Sequence, residues 1–313
     1  MLLEIFDSYR QIIDSYDHRS SVEKKCAWLN LAHVCRRWHV VVFASSARLD
    51  LGINVGPEKP GHIKEILSSH LPIFIKYQCR ITDIRVTGSA LWQMRAALRH
   101  RDRVRKIPFA GCAASFRKFI RATNYHFPAL ESLDLGFSYD HEPDIPATFL
   151  RGPDQADLRL RRLGLSGPSL ASVSGLLLSA TALTDLTLEF TFNVAGFDSS
   201  QGSFLACLQG MQCLSSLNLT TPRRRHEYPR DSQSQHLIPK DIVPLLKLTL
   251  FHYYSSVMFL SNFMSGLSAP SLQDARFVLS SRFPLLYLSR VIDDVREEFR
   301  SVSVTFKIGY FYF

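Results

Sequence analysis

No run in this sequence approaches the ~18 consecutive apolar residues of a membrane-spanning helix, so no membrane association is expected. The first residues carry Glu4 and Asp7 inside their apolar stretch, unlike the uninterrupted core of a secretory signal. Cysteine is sparse as well: Cys26, Cys35, Cys79, Cys112, Cys207 and Cys213 are spread out with no C-x-x-C pair. That spacing argues against a disulfide framework and suits free thiols in a reducing compartment, so a cytoplasmic or nuclear location is expected. Also missing are H-E-x-x-H, G-x-x-x-x-G-K-[ST], G-x-S-x-G and G-x-G-x-x-G, the common metal, nucleotide and hydrolase signatures. The expectation is therefore a protein that is not an enzyme and carries no cofactor. A Cys and a His that meet only in space would escape this test.

What is present is ample apolar material. Hydrophobic residues make up 46% of 313, enough for a large core beside a small module. The formal charge of +9 admits either an acidic or nucleic-acid partner or merely a solvated basic surface. Nucleic acid is the less favoured partner because the basic residues are scattered. Two local clusters stand out, Arg99 to Lys106 and Arg223 to Arg225, the second within the polar stretch Thr221 to Gln235.

A short pattern, apolar-x-x-apolar-x-apolar, recurs beyond about residue 70. Five copies consist of leucine alone: Leu130-Leu133-Leu135, Leu160-Leu163-Leu165, Leu183-Leu186-Leu188, Leu214-Leu217-Leu219 and Leu245-Leu248-Leu250. With 42 leucines in the chain, composition alone predicts fewer than one such copy. Looser copies keep the phase at Ile81-Ile84-Val86, Val104-Ile107-Phe109, Leu272-Ala275-Phe277 and Phe299-Val302-Val304. Between copies the apolar period changes from two to about 3.6, as in Leu91, Met94 and Leu98, or Phe116, Phe119 and Ile120. Each unit thus reads as a strand followed by a helix, too small to bury its own apolar face. The fold class expected is α/β: an irregular leucine-rich repeat solenoid with parallel strands inside and helices outside. A doubly wound sheet shares the alternation but would ordinarily show a glycine-rich loop after a strand. The Asn or Cys that regular repeats place after the third apolar residue is not kept, as in Gly136-Phe137-Ser138 after Leu135 and Glu189-Phe190-Thr191 after Leu188, so unit lengths are free to drift.

Ahead of the repeats, Leu29 to Trp38 reads Leu-Asn-Leu-Ala-His-Val-Cys-Arg-Arg-Trp. On a helix, Leu31, Val34, Cys35 and Trp38 share one stripe; upstream, Leu2, Ile5, Phe6, Tyr9 and Ile13 share another, with Leu3 beside it. Each stripe fits an ordinary core helix as well as a docking helix. The Val-Cys-Arg-Arg-Trp string after an apolar opening helix resembles the F-box, over about one sixth of the chain. The whole chain resembles the F-box-like proteins with degenerate C-terminal leucine-rich repeats that abound in mushroom-forming fungi. Arg101-Asp102-Arg103-Val104 and Phe127-Pro128-Ala129-Leu130 look like recurring parts of them.

That resemblance implies a substrate-recognition subunit of an SCF (Skp, cullin, F-box) ubiquitin ligase. Leu2, Leu3, Ile5, Phe6, Leu29, Leu31, Val34, Cys35 and Trp38 would bind a Skp-type adaptor, tying the chain to a cullin-based ligase, while the repeats hold a protein substrate. The sequence departs from the family in lacking the usual Leu-Pro opening before Leu2, as a module shortened at its N-terminus would, and in the long spacer from Asp14 to Lys25. The alternative is a leucine-rich repeat scaffold, or a decayed family member, without adaptor binding. The expected organisation is an F-box-like helical module at 1–54, a linker at 55–71 around Gly56-Pro57 and Pro60-Gly61, and the repeats at 72–313. Cys35 and His39 fall at i and i+4, too few ligands for a structural zinc site. Phe251-His252-Tyr253-Tyr254 and the aromatic end at Tyr310 to Phe313 are candidates either for packing or for a substrate surface.

Overall fold

The computed structural model describes residues 51–55, 72–78, 88–122, 126–137, 145–146, 149–150, 159–167, 169–190, 197–221, 242–255, 260, 263–279 and 302–306, with 4, 8, 34–38 and 67. In chain order the elements are β1 (Leu51–Val55), β2 (Ile73–Gln78), α1 (Gly88–Leu98), β3 (Val104–Gly111), α2 (Ala113–Ala122), β4 (Ser132–Phe137), β5 (Arg162–Ser166) and α3 (Leu170–Ser179). There follow β6 (Asp185–Glu189), α4 (Phe197–Gln209), β7 (Ser216–Thr220), β8 (Val243–Pro244), β9 (Leu250–Ser255), β10 (Leu267–Ser268), β11 (Asp274–Leu279) and β12 (Val302–Phe306). Ten strands form one parallel sheet in the order β1-β2-β3-β4-β5-β6-β7-β9-β11-β12. The order follows the chain and never reverses, so the described sheet has no switch point of the kind a doubly wound fold contains. β8 and β10 pair with each other in a separate parallel ribbon.

The recurrent apolar pattern has a direct backbone meaning. In a strand of period two, residues three apart would face opposite ways. Here the two residues between the first and second apolar positions both donate to one carbonyl of the preceding strand region. Arg161 and Arg162 donate to the Glu131 carbonyl, Thr184 and Asp185 to that of Arg161, and Ser215 and Ser216 to that of Thr184. Thr249 and Leu250 likewise share the Ser215 carbonyl, and Gln273 and Asp274 that of Thr249. This bulge takes up one residue and puts both apolar side chains on the same side. Leu160 with Leu163, Leu183 with Leu186 and Leu214 with Leu217 are accordingly all buried.

Those hydrogen bonds correct one phase read from the sequence. The strand after β7 is not built on Leu245-Leu248-Leu250 but on Leu248-Phe251-Tyr253: Leu217 pairs with Phe251 and Leu219 with Tyr253. Leu250 faces the other way and is 40% exposed, while Leu245 is buried beside β8 and donates its amide to Ser268. The sheet also starts earlier than expected, because β1 pairs with β2 across the segment read as a linker. The boundary at 54/55 therefore runs through a strand. Ile81-Ile84-Val86 lies outside the described residues.

One face of the sheet is buried and the other is open. Ile73, Ile75 and Tyr77, then Val104, Ile107 and Phe109, then the leucine pairs of β4 to β7, then Phe251 and Tyr253, and finally Ala275 and Phe277 all point inward. The helices cover that side: Phe119 of α2 stacks on Phe109 and Phe116 meets it edge-on, and Phe263, in a helical stretch before β10, packs on Phe251 and on Phe204 of α4. α1 packs on α2, and α3 on α4. A doubly wound sheet would bury both faces.

Between β7 and β9 the described residues 242–249 contain β8 and a turn, not a helix. β5 is followed by Gly167, whose φ of +100° suits glycine, and a Cβ there would lie 2.8 Å from the Phe137 carbonyl oxygen. Ser169 then caps α3, its hydroxyl accepting from the Ser172 amide.

Candidate functional site

Because strand side chains alternate, the residues between the buried ones form three rows across the open face. The middle row runs Lys76, Pro108, Asp134, Gly164, Thr187, Asn218, His252, Arg276. The row toward the strand starts holds Phe74, Lys106, Ser132, Arg162, Asp185, Ser216, Leu250 and Asp274; the row toward the ends holds Ala110, Gly136, Ser166, Glu189, Thr220, Tyr254 and Val278. Apart from Phe74, Leu250, Tyr254 and Val278, these residues are polar, charged or small.

Charge on this face is locally compensated in some places and not in others. Arg162 lies 3.8 Å from Asp185, which also accepts from the Thr184 hydroxyl, and Arg276 makes contacts of 3.1 and 3.2 Å with Asp274 on its own strand. Glu189 accepts a 2.8 Å hydrogen bond from Ser166. Asp134 has no hydrogen bond or ion pair among the described residues. It leans across the strand gap to Gly164, where a Cβ would sit only 2.6 Å from the Asp134 carboxylate oxygen. Crowding by the sheet desolvates this carboxyl and pushes its pKa up. A glycine between two inward leucines thus makes a notch into which an unpaired carboxylate leans.

Of the four residues singled out at 251–254, Phe251 and Tyr253 belong to the core, while His252 and Tyr254 are half-buried on the open face. With Leu250 and Val278 they form its most apolar part. The arginine-rich stretch before β3 is split. Arg99 and Arg101 are exposed, Arg103 donates to the Leu67 carbonyl at 3.1 Å, and Arg105 sits 3.5 Å from Glu131. Arg223 to Arg225 lie outside the described residues.

Of the residues expected to meet an adaptor, Leu2, Leu3, Ile5, Phe6, Leu29 and Leu31 lie outside the described residues, as do His39 and the aromatic end. Glu4 and Ser8, one helical turn apart, are helical and exposed. Val34 is in a turn and 60% exposed, Cys35 is exposed, and helix begins at Arg36, with Trp38 half-buried. Val34 and Cys35 therefore precede the helical residues and do not continue their stripe, in keeping with the weak helix propensity of Val and Cys.

The described cysteines differ in character. Burial pushes the Cys207 thiol up. At Cys112, just before α2, burial acts in the same direction, but hydrogen bonds from Ser115 and from the helix's first amides outweigh it and bring the thiol below its usual value. Among the described residues no group of three or more His, Cys, Asp and Glu is placed to hold a metal ion, and no helix is long and apolar enough to cross a membrane.

A one-sided parallel sheet with a polar open face defines the class of architecture. No family model and no curated protein matches the sequence.

Proposed function

We propose that this chain is a non-catalytic binding subunit: a leucine-rich-repeat-like solenoid whose open sheet face holds a protein substrate, joined to an F-box-like N-terminal segment that docks a Skp-type adaptor of an SCF ubiquitin ligase. The observation that carries the binding half is the sheet itself. Ten parallel strands stand in chain order, apolar on one side only, and present an extended polar surface on the other. Such a surface has the area for a protein partner, whereas the backbone hydrogen bonds that build it leave its side chains to recognition. The adaptor half is supported by the Val34-Cys35-Arg36-Arg37-Trp38 string and by the exposure of Val34 in a chain with a large buried core. Transfer of ubiquitin would then follow from proximity, with the substrate held at high effective concentration near the charged carrier.

The test is binding of the full chain to a purified Skp-type adaptor by calorimetry, alongside Val34→Asp and Trp38→Ala. Micromolar or tighter binding that Val34→Asp weakens by at least about tenfold, some 1.4 kcal/mol, is the expected result. Adaptor binding that is absent, or indifferent to both substitutions, refutes the ligase assignment and leaves a repeat scaffold.

A further inference from the structure

The open face is not uniform, and its pattern narrows the partner. Across β4, β5 and β6 it carries the carboxylates Asp134, Asp185 and Glu189 and one guanidinium, Arg162, which is directed at Asp185. The local charge is therefore negative on a chain whose formal charge is +9. The two carboxylates with no cationic partner among the described residues, Asp134 and Glu189, flank a floor made of Gly164, Gly136 and Ser166. This floor is low because two of its three residues have no side chain. Three strand positions further along, Leu250, His252 and Tyr254, and one strand beyond them Val278, supply an apolar and aromatic patch. Thr187, Asn218 and Thr220 lie between, uncharged and able to donate and accept hydrogen bonds.

We propose that this face binds an extended peptide segment whose Lys or Arg lies over Gly164 between Asp134 and Glu189, with an apolar side chain of the same segment on the Leu250, Tyr254 and Val278 patch. The span supports one register. Gly164 and His252 are in the same row three strand spacings apart, roughly 14 Å at ~4.8 Å each, which extended chain covers in about four residues. The partner class is thus a basic-and-apolar segment, not an acidic one. Charge complementarity of this kind steers encounter and rejects acidic competitors by like-charge repulsion. The inference rests on the open face being the partner surface and is independent of the adaptor.

A random twelve-residue peptide library displayed on phage, selected on the full chain, tests it. Selected sequences are expected to pair Lys or Arg with an apolar residue about four positions away. Their affinity should fall at least about tenfold on the double variant Asp134→Asn with Glu189→Gln, by loss of two charge contacts. Gly164→Val, which displaces the Asp134 carboxylate from the notch, should do the same. The two amide substitutions keep side-chain shape, so their effect does not depend on unfolding. Selection of no binder, of sequences without basic residues, or of peptides that bind the double variant equally well overturns the proposal. Adaptor binding is measured separately on the same proteins: its loss with peptide selection intact refutes only the ligase assignment, and the reverse refutes only this inference.

Discussion

From β4 to β7 the inward positions are built on leucine pairs, each in register with the same pair one strand away; around Phe109 of β3 they include rings, and the rings converge. Phe109 has Tyr77, Phe119, Phe116 and Phe137 at centroid distances of 4.8, 5.0, 5.4 and 6.4 Å, and Phe116 is further tied to Phe149 at 5.9 Å. The leucine region spreads its packing evenly along the sheet. The ring cluster concentrates it at one point that joins β2, β3, β4 and α2. A repeat can therefore be held either by many equal neighbours or by one hub, within the same backbone register.

The sharpest way to break this comparison is to truncate one member of each region. Phe109→Ala should cost about 3–5 kcal/mol from lost burial and cavity formation, plus about 0.5–1.5 kcal/mol for each ring pair that does not re-form. Leu186→Ala should fall nearer 2–3 kcal/mol, low in the range of about 2–5 for leucine, because identical neighbours can close in on both sides. Urea midpoints of the two variants decide it, and a larger loss for Leu186→Ala would contradict the hub.

A second contrast lies at the strand entrances. Thr184, Ser215 and Thr249 occupy one position of successive repeats, and each hydroxyl donates to the carbonyl of the repeat before, at 3.0, 2.9 and 3.1 Å. At β3 and β4 the same position holds the half-buried ion pair Arg105 and Glu131. Ser215→Ala should cost about 0.5–1.5 kcal/mol at any ionic strength. Arg105→Gln should cost under about 1 kcal/mol and nothing at high salt. Thermal melts at low and high salt separate the two, and a salt-dependent Ser215→Ala effect would count against the hydroxyl ladder.

The smallest effect expected concerns Asp134. Its folded pKa is raised by desolvation, so its ionisation favours the unfolded chain. Its contribution to stability is intact below the unfolded carboxyl range and is lost as pH rises through the folded pKa. Asp134→Asn should accordingly match the parent at acid pH and be slightly more stable at pH 7, while weakening peptide binding. A variant less stable than the parent at pH 7 would show that the carboxylate has a structural partner.

Much of the sheet was legible because the bulged strand imposes a rigid spacing on leucine. Leu133, Leu163, Leu186 and Leu217 all pair in register as the pattern requires. The phase failed at Leu245 because a leucine also follows β8, five residues ahead of a strand whose inward positions are Phe251 and Tyr253. Aromatic residues meet the same demand for volume, so identity of side chain misled where period did not. β1 was missed since five residues carry too little periodicity. The notch had a signal that went unused: Gly164 stands alone as a glycine between two inward leucines, and glycine inside a strand marks close approach of a neighbour. The unpaired state of Asp134 could not be read, because it depends on which residue lies opposite in the adjoining strand.

Since each strand of the sheet after the first pairs with the sheet strand before it, the contacts that hold the sheet are separated by little more than one repeat: 23, 31 and 34 residues in the hydroxyl ladder. No step of assembly has to bring distant ends of the chain together. Loop-closure cost grows only slowly over such lengths, so the sheet can nucleate at any well-packed pair and extend in both directions. A chain emerging from the ribosome could complete each strand against a neighbour already in place.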